Sequence, residues 1–158
     1  MRVYSPMDGF GCNFTLCRGS VCEAQVAFPP SAFGNSQAEK LNVCLVVSDE
    51  ILSMVEELES KCKQLLGFKQ AWHSAIKMPS KDGQRPLLKV KMRINSLRCF
   101  RTNGEIAPMP REWTRLPCNA HIAFRGVYDT GSVQGLQLEL THLLWAREGS
   151  PPNPFIIG

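Results

Sequence analysis

Apolar and polar residues alternate along RPLLKVKMRI (85–94): Leu88, Val90, Met92 and Ile94 fall on one side, Lys89, Lys91 and Arg93 on the other. Successive side chains of a strand point to opposite faces, so the pattern predicts a strand with a buried apolar face and cations roughly 6–7 Å apart on the other. VCEAQVAF (21–28), CNAHIAFRGVYD (118–129) and VQGLQLELTHLLW (133–145) read as further strands, and the β-branched run LNVCLVV (41–47) as a buried one. FKQAWHSAIK (68–77) reads as a strand as well. Turns are expected at Asp82-Gly83, at Asn103-Gly104, whose dipeptide is a strong hairpin signal, and at Asp129-Thr130-Gly131. PPSAFGNSQAEK (29–40) is a loop by composition, and the Pro-interrupted EIAPMPREWTRLP (105–117) a loop or lid.

One segment has the helical period. Ile51, Val55, Leu58, Cys62 and Leu65 form a stripe over residues 48–66. Ser48 is placed to cap its start, Asp49 and Glu50 suit the positive end of its dipole, and Gly67 is placed to end it. Glu56, Glu57 and Glu59 are expected on its solvated face. Strands, one long helix, then strands with tight turns predict a mainly β protein: a five-stranded OB-type barrel with one inserted α-helix (about 48–66) and an additional terminal strand or arm. Gly126 and Gly135 fit the bends of such a barrel. Residues 1–145 are expected to form a single domain, with 1–20 an irregular arm and 146–158 an extended Pro-rich tail.

Charge changes this picture. The chain has 158 residues and a net charge of +4, but the charge is segregated. Residues 1–60 hold three basic and eight acidic residues, residues 61–101 eleven basic residues and Asp82, and residues 102–158 four basic and five acidic. A cationic middle segment points to a polyanionic partner. The alternating strand itself allows two explanations: lysines that shield an exposed sheet edge, or cations that track a polyanion.

Candidate chemistry narrows the class further. No G-x-x-x-x-G-K-[ST], G-x-S-x-G or H-E-x-x-H motif occurs, so neither catalysis nor a cofactor is expected. Cys12, Cys17 and Cys22 are too widely spaced for a zinc knuckle, and His73, His121 and His142 are remote from them, so no metal is expected. No apolar run approaches the ~18 residues that span a bilayer, and MRVYSPMDGFG carries no signal-peptide core. An intracellular protein with seven reduced cysteines and no membrane partner is therefore expected.

Single strands of nucleic acid are gripped by cations for the phosphates and aromatic faces for the bases. Trp72 lies among Lys69, Lys77, Lys89, Lys91, Arg93, Arg98 and Arg101, and Trp113 lies between Arg111 and Arg115 in the loop. These eleven residues are the candidate nucleic-acid-binding set. Phe68, Phe100 and Trp145 are expected in the core.

WHSAIKMPSKDGQRPLLKVKMRI (72–94) resembles the W/Y-x-S-x-I-K, turn, P-x-L-K-V-K-hydrophobic segment of OB-fold single-stranded DNA-binding proteins of large eukaryotic DNA viruses and related phage replication proteins. An Asn-Gly turn, the PMPREW loop, AHIAFRGVY and GLQLELTHLLW follow in the same order, so the resemblance spans roughly residues 40–145. It implies a protein that coats single-stranded DNA in replication or recombination with little sequence preference. It places Trp72, Lys77, Lys89, Lys91 and Arg93 on or near the DNA. DNA is not distinguished from RNA, and further copies of the chain or replication proteins are the other expected partners. The tail PPNPFIIG departs from the acidic tails of many replication proteins, with no acid after Glu148. The competing reading is a structural or assembly protein of a virion or replisome whose basic face packs on an acidic partner.

Overall fold

The computed structural model describes residues 2–4, 22–30, 40–67, 70–81, 83–101 and 103–146. The proposed arm and tail, apart from Arg2–Tyr4 and Ala146, lie outside the described residues, as do Lys69, Phe68 and most of the 29–40 loop.

In chain order the elements are β1 (Arg2–Tyr4), β2 (Cys22–Val26), β3 (Lys40–Val46), α1 (Asp49–Leu66), β4 (Ala71–Trp72), β5 (Ile76–Lys77), β6 (Leu87–Arg93), β7 (Arg98–Arg101), β8 (Pro117–Asp129) and β9 (Val133–Ala146). Five of them close a ring: β2 pairs β3, β3 pairs β6, β6 pairs β9, β9 pairs β8, and β8 returns to β2. The β6–β9 pairing is parallel and the other four are antiparallel. This is the partly open Greek-key barrel of the OB type, with α1 inserted between the second and third ring strands. β1 lies on β8, while β4, β5 and β7 are short additions on β9, β6 and β9.

The helix forms where its caps require. Ser48 Oγ accepts from the Ile51 amide at 3.3 Å, and Gly67 closes the end in the left-handed region at φ 74°. Two details of its stripe differ from the periodic reading. Leu65 is exposed and Leu52 buried in its place, and Glu59 is buried rather than solvated. Glu59 Oε2 accepts from Trp72 Nε1 at 2.8 Å and from the Ala75 amide at 3.0 Å, and Oε1 accepts from Ser74 Oγ at 2.5 Å. A carboxylate with three donors tolerates burial that a bare one would not. The same bonds explain why 68–77 is not one strand. They gather residues 72–75 onto the helix, and β4 and β5 are left on either side of the break.

β6 follows its alternation: Leu88, Val90 and Met92 are buried, and Lys89, Lys91 and Arg93 exposed. Ile94, expected in the core, is exposed, because the strand ends at Arg93, whose carbonyl accepts from the Ser96 and Leu97 amides in a turn. β7 was not foreseen. It runs up to the predicted Asn103-Gly104 turn, where Gly104 has φ 93° and its amide donates to the Arg101 carbonyl at 2.9 Å. The 105–116 segment is irregular, as its prolines predict, but packed down. Ala107, Trp113 and Leu116 are buried, and Trp145 Nε1 donates to the Pro108 carbonyl at 2.9 Å. Cys44, Cys62, Cys99 and Cys118 are thiols rather than disulfides. Among the described residues no helix is long and apolar enough to cross a membrane.

Candidate nucleic-acid interface

The outward cations of β6 are held in an ordered lattice by their neighbours. In the β3–β6 ladder Lys89 pairs with Cys44, Lys91 with Asn42 and Arg93 with Lys40. On the other side β6 is covered by β5 and β9. It is therefore not an exposed edge, and its lysines are not needed to shield one. Two like charges at this spacing repel by about 0.6 kcal/mol in water, and by more where water is excluded. Lys91 shows the effect. Partial burial, then the charges of Lys40 and Lys89, lower its pKa, and its Nζ donates to Asn42 Oδ1. Across the barrel wall Arg93 Nε lies 3.4 Å from Glu139 Oε1, and Arg125 Nη2 lies 3.5 Å from Glu139 Oε2. Glu139 thus ties the cations of β6 and β8 together through β9.

These residues line two adjoining clefts. One, of about 340 Å³, has Lys40, Lys91, Arg93 and Arg125 in its walls, together with Glu139. The other, of about 470 Å³, is walled by Lys77, Lys89 and Lys91 with Asn42 and His73. Lys91, Tyr128, Leu136 and Leu138 belong to both. Tyr128 is the aromatic ring where they meet. It is half-buried and pairs across the ladder with Gly135. A Cβ at Gly135 would stand 2.6 Å from Tyr128 Oη and 2.7 Å from its ring carbons, so only glycine lets the ring lie on the strand. Burial, then the charge of Glu59, raises the phenol pKa, which keeps it a neutral hydrogen-bonding group at neutral pH.

The candidate residues separate into groups. Lys77, Lys89, Lys91 and Arg93 line the clefts. Trp72 is half-buried, turned to Glu59 and packed against the core, with Lys63 Nζ 6.0 Å from its ring. Arg98 and Arg101 lie further along, on β7 beside His142. Arg111 and Arg115 are exposed on the 105–116 segment. Trp113, expected as a stacking ring on a closing lid, is only 9% exposed and sits in the core. The sequence reading missed Lys40, Asn42, Tyr128, Arg125 and Glu139. Lys40 and Asn42 reach the site only through the β3–β6 register. Among the described residues no cluster of three or more His, Cys, Asp or Glu side chains is arranged to hold a metal.

No protein-family model and no curated protein sequence matches the chain. Solved structures do. One is a single-stranded DNA-binding protein from bacteriophage Enc34 in complex with single-stranded DNA, with a TM-score of 0.60 and 13% identity over 84% of this chain and 87% of that one. A C-terminal truncation of the Enc34 protein gives a TM-score of 0.54 and 11% identity, over 84% and 86% of the two chains. The likeness is to phage proteins, and no match links the chain to the eukaryotic viral proteins that its 72–94 segment resembles. At these identities it concerns the backbone: the chain has the fold of a phage single-stranded DNA-binding protein.

Proposed function

We propose that the protein binds single-stranded DNA without catalysis and with little sequence preference, laying the strand through the two clefts. The carrying observation is the junction at Tyr128, where one aromatic ring sits between Lys77, Lys89 and Lys91 on one side and Lys40, Arg93 and Arg125 on the other. Phosphates would pair with the cations, and a base would stack on Tyr128. A duplex offers no unstacked base to the ring, so single strands are preferred. A phage protein of the same fold was solved with single-stranded DNA, which supports the reading. A role in coating strands during replication or recombination follows from it. Lys77, Lys89, Lys91 and Arg93 remain in the proposed contact set, joined by Lys40, Arg125 and Tyr128. Trp72 and Trp113 leave it, since each ring is committed to the protein's own packing.

The test is fluorescence anisotropy of labelled oligo-dT against a labelled duplex of equal length at two salt concentrations. Tight binding of the single strand, weakened by salt, is expected. Equal or absent binding of both, with self-association or capture by an acidic partner, would favour the assembly reading instead.

A further inference from the structure

On the outer wall of the barrel, beyond Glu139, the β8–β9 ladder slips. His121 pairs with His142 but Ile122 pairs with Leu140, so Thr141 is an inserted residue. Leu140 and Leu143 are both buried, and Thr141 and His142 are left together on the half-exposed side. Such a bulge re-aims a side chain. Here it brings two imidazoles and a hydroxyl into one cluster. Thr141 Oγ1 lies 2.6 Å from His121 Nδ1 and 2.9 Å from His142 Nδ1, and donates to the His121 carbonyl at 3.2 Å. The His121 and His142 rings meet edge to face at 5.3 Å, and Phe100 stacks on His142 at 5.9 Å.

The arrangement in which all three Thr141 contacts are hydrogen bonds sets the tautomers. A threonine hydroxyl has one proton and two lone pairs. Its proton goes to the His121 carbonyl, so both Nδ1 atoms carry hydrogen and donate to the lone pairs. Each ring then takes a further proton at Nε2, which breaks none of these bonds and turns an acceptor edge into a donor. Two imidazolium rings this close repel, and Arg98 of β7, which pairs with His142, adds a third cation. An anion between them offsets that repulsion. Arg125 and Glu139, charged residues on the same wall of β8 and β9, are engaged with one another, and Arg101 is the other cation of β7.

The position is continuous with the clefts. β7 follows β6 along the same side of β9, with Met92 pairing with Leu140 and Arg98 with His142. We infer that His121, His142 and Arg98 form a proton-linked phosphate subsite, at which a single strand leaving the cleft past Arg93 and Glu139 gains one further phosphodiester contact. Burial, then His121 and Arg98, hold His142 below the usual histidine range. His142 is therefore largely uncharged at neutral pH, and the subsite fills as pH falls with a phosphate in place.

This inference rests on the proposed function, and the experiment separates the two. Oligo-dT of two lengths, one spanning the clefts alone and one long enough to reach β7, is titrated against the parent and His121→Gln/His142→Gln at constant ionic strength from pH 7.5 to 5.5. In the parent the longer strand should gain affinity as pH falls, by up to about one log unit per pH unit for each linked proton. The double variant should lose that gain and keep its affinity at pH 7.5. His73, in the cleft wall, is common to both proteins and cancels in the comparison. Absence of oligonucleotide binding at pH 7.5 overturns the proposed function. Tight binding with equal pH slopes in parent and variant overturns this inference alone. Imidazole NMR of the parent supplies a readout independent of the variant's folding. A rise of the His142 pKa with the longer oligonucleotide supports the subsite. A rise with inorganic phosphate and none with the strand overturns the strand's part in it.

Discussion

Trp72 and Tyr128 both lie close enough to the Glu59 carboxylate to feel it, yet they face different tasks. Trp72 gives its indole N–H to Glu59 and packs against the core. Tyr128 lies on Gly135 and opens onto both cationic clefts. The sequence favours Trp72, which sits in the basic segment, over Tyr128, which lies outside it. A ring's neighbours in the chain say little about its availability to a ligand; the partner of its polar handle says more. Trp72 is hydrogen-bonded into the protein's own packing, and Tyr128 is the ring proposed to meet a base.

The largest expected effect is on the structural side of this comparison. Glu59→Ala would orphan the Trp72, Ser74 and Ala75 donors together. Each unsatisfied buried group costs about 1–3 kcal/mol, and partial exposure of the first two places the loss at roughly 3–5 kcal/mol in all. Thermal or urea denaturation should show it directly. Binding should weaken too, because Ser74 and Ala75 belong to the wall of the larger cleft. A variant of parental stability would mean that the 70–77 segment does not depend on the helix.

On the ligand side, Tyr128→Ala should weaken oligonucleotide binding by about 1–3 kcal/mol, the scale of one base–aromatic stack. The loss should be similar for different base sequences, because every base has a face to stack. Unchanged affinity would take Tyr128 out of the site and leave the cations without a ring.

Replacing Lys89, Lys91 and Arg93 together with Gln tests the walls rather than the junction. Log affinity for a single strand falls by about 0.7 per neutralised phosphate for each decade of salt, so the triple variant should lose up to about 2 units of slope. Binding should fall equally across sequences, since phosphates carry no sequence information. Stability should change little, because the relief of three repelling charges offsets the lost Arg93–Glu139 pair, Arg125 still serves Glu139, and Leu88, Val90 and Met92 stay buried. A parental salt slope would show that these cations do not touch the strand.

What the sequence reveals and conceals follows the same division. β6 was legible because period-two alternation needs no knowledge of the partner strand, and α1 because its caps and stripe are local. The barrel order followed from one helix among strands. Glu59 was concealed because an acid in Glu-Glu-Leu-Glu reads as solvated until its three distant donors are known. Tyr128 was concealed by a phase shift. Alternation from the buried Phe124 would turn Tyr128 inward. The irregularity between Phe124 and Gly126, where Gly126 has φ 134°, instead buries Val127 and brings Tyr128 out. The second slip, at Thr141, hides the histidine cluster in the same way. β7 was missed because its four residues precede a turn and carry no pattern of their own.

The smallest effect is the sharpest test of the comparison. Trp72→Phe keeps an aromatic ring in place and removes only the indole N–H. Glu59 Oε2 then keeps the Ala75 amide, and Oε1 keeps Ser74 Oγ. A hydrogen bond to a charged acceptor contributes about 1.5–3 kcal/mol when well buried; with Trp72 half-exposed, a loss of roughly 1 kcal/mol is expected. The ring's stacking face survives the substitution, so if Trp72 served as a base platform, binding would change little and stability would be the wrong place to look. Trp72→Ala therefore accompanies it. If the ring is structural, stability should fall from parent to Phe to Ala while affinity per folded molecule stays close to parental. If Trp72 stacks a base, affinity should drop at Ala by the same about 1–3 kcal/mol expected of Tyr128→Ala. Measuring both quantities on both variants decides which of the two rings meets the strand.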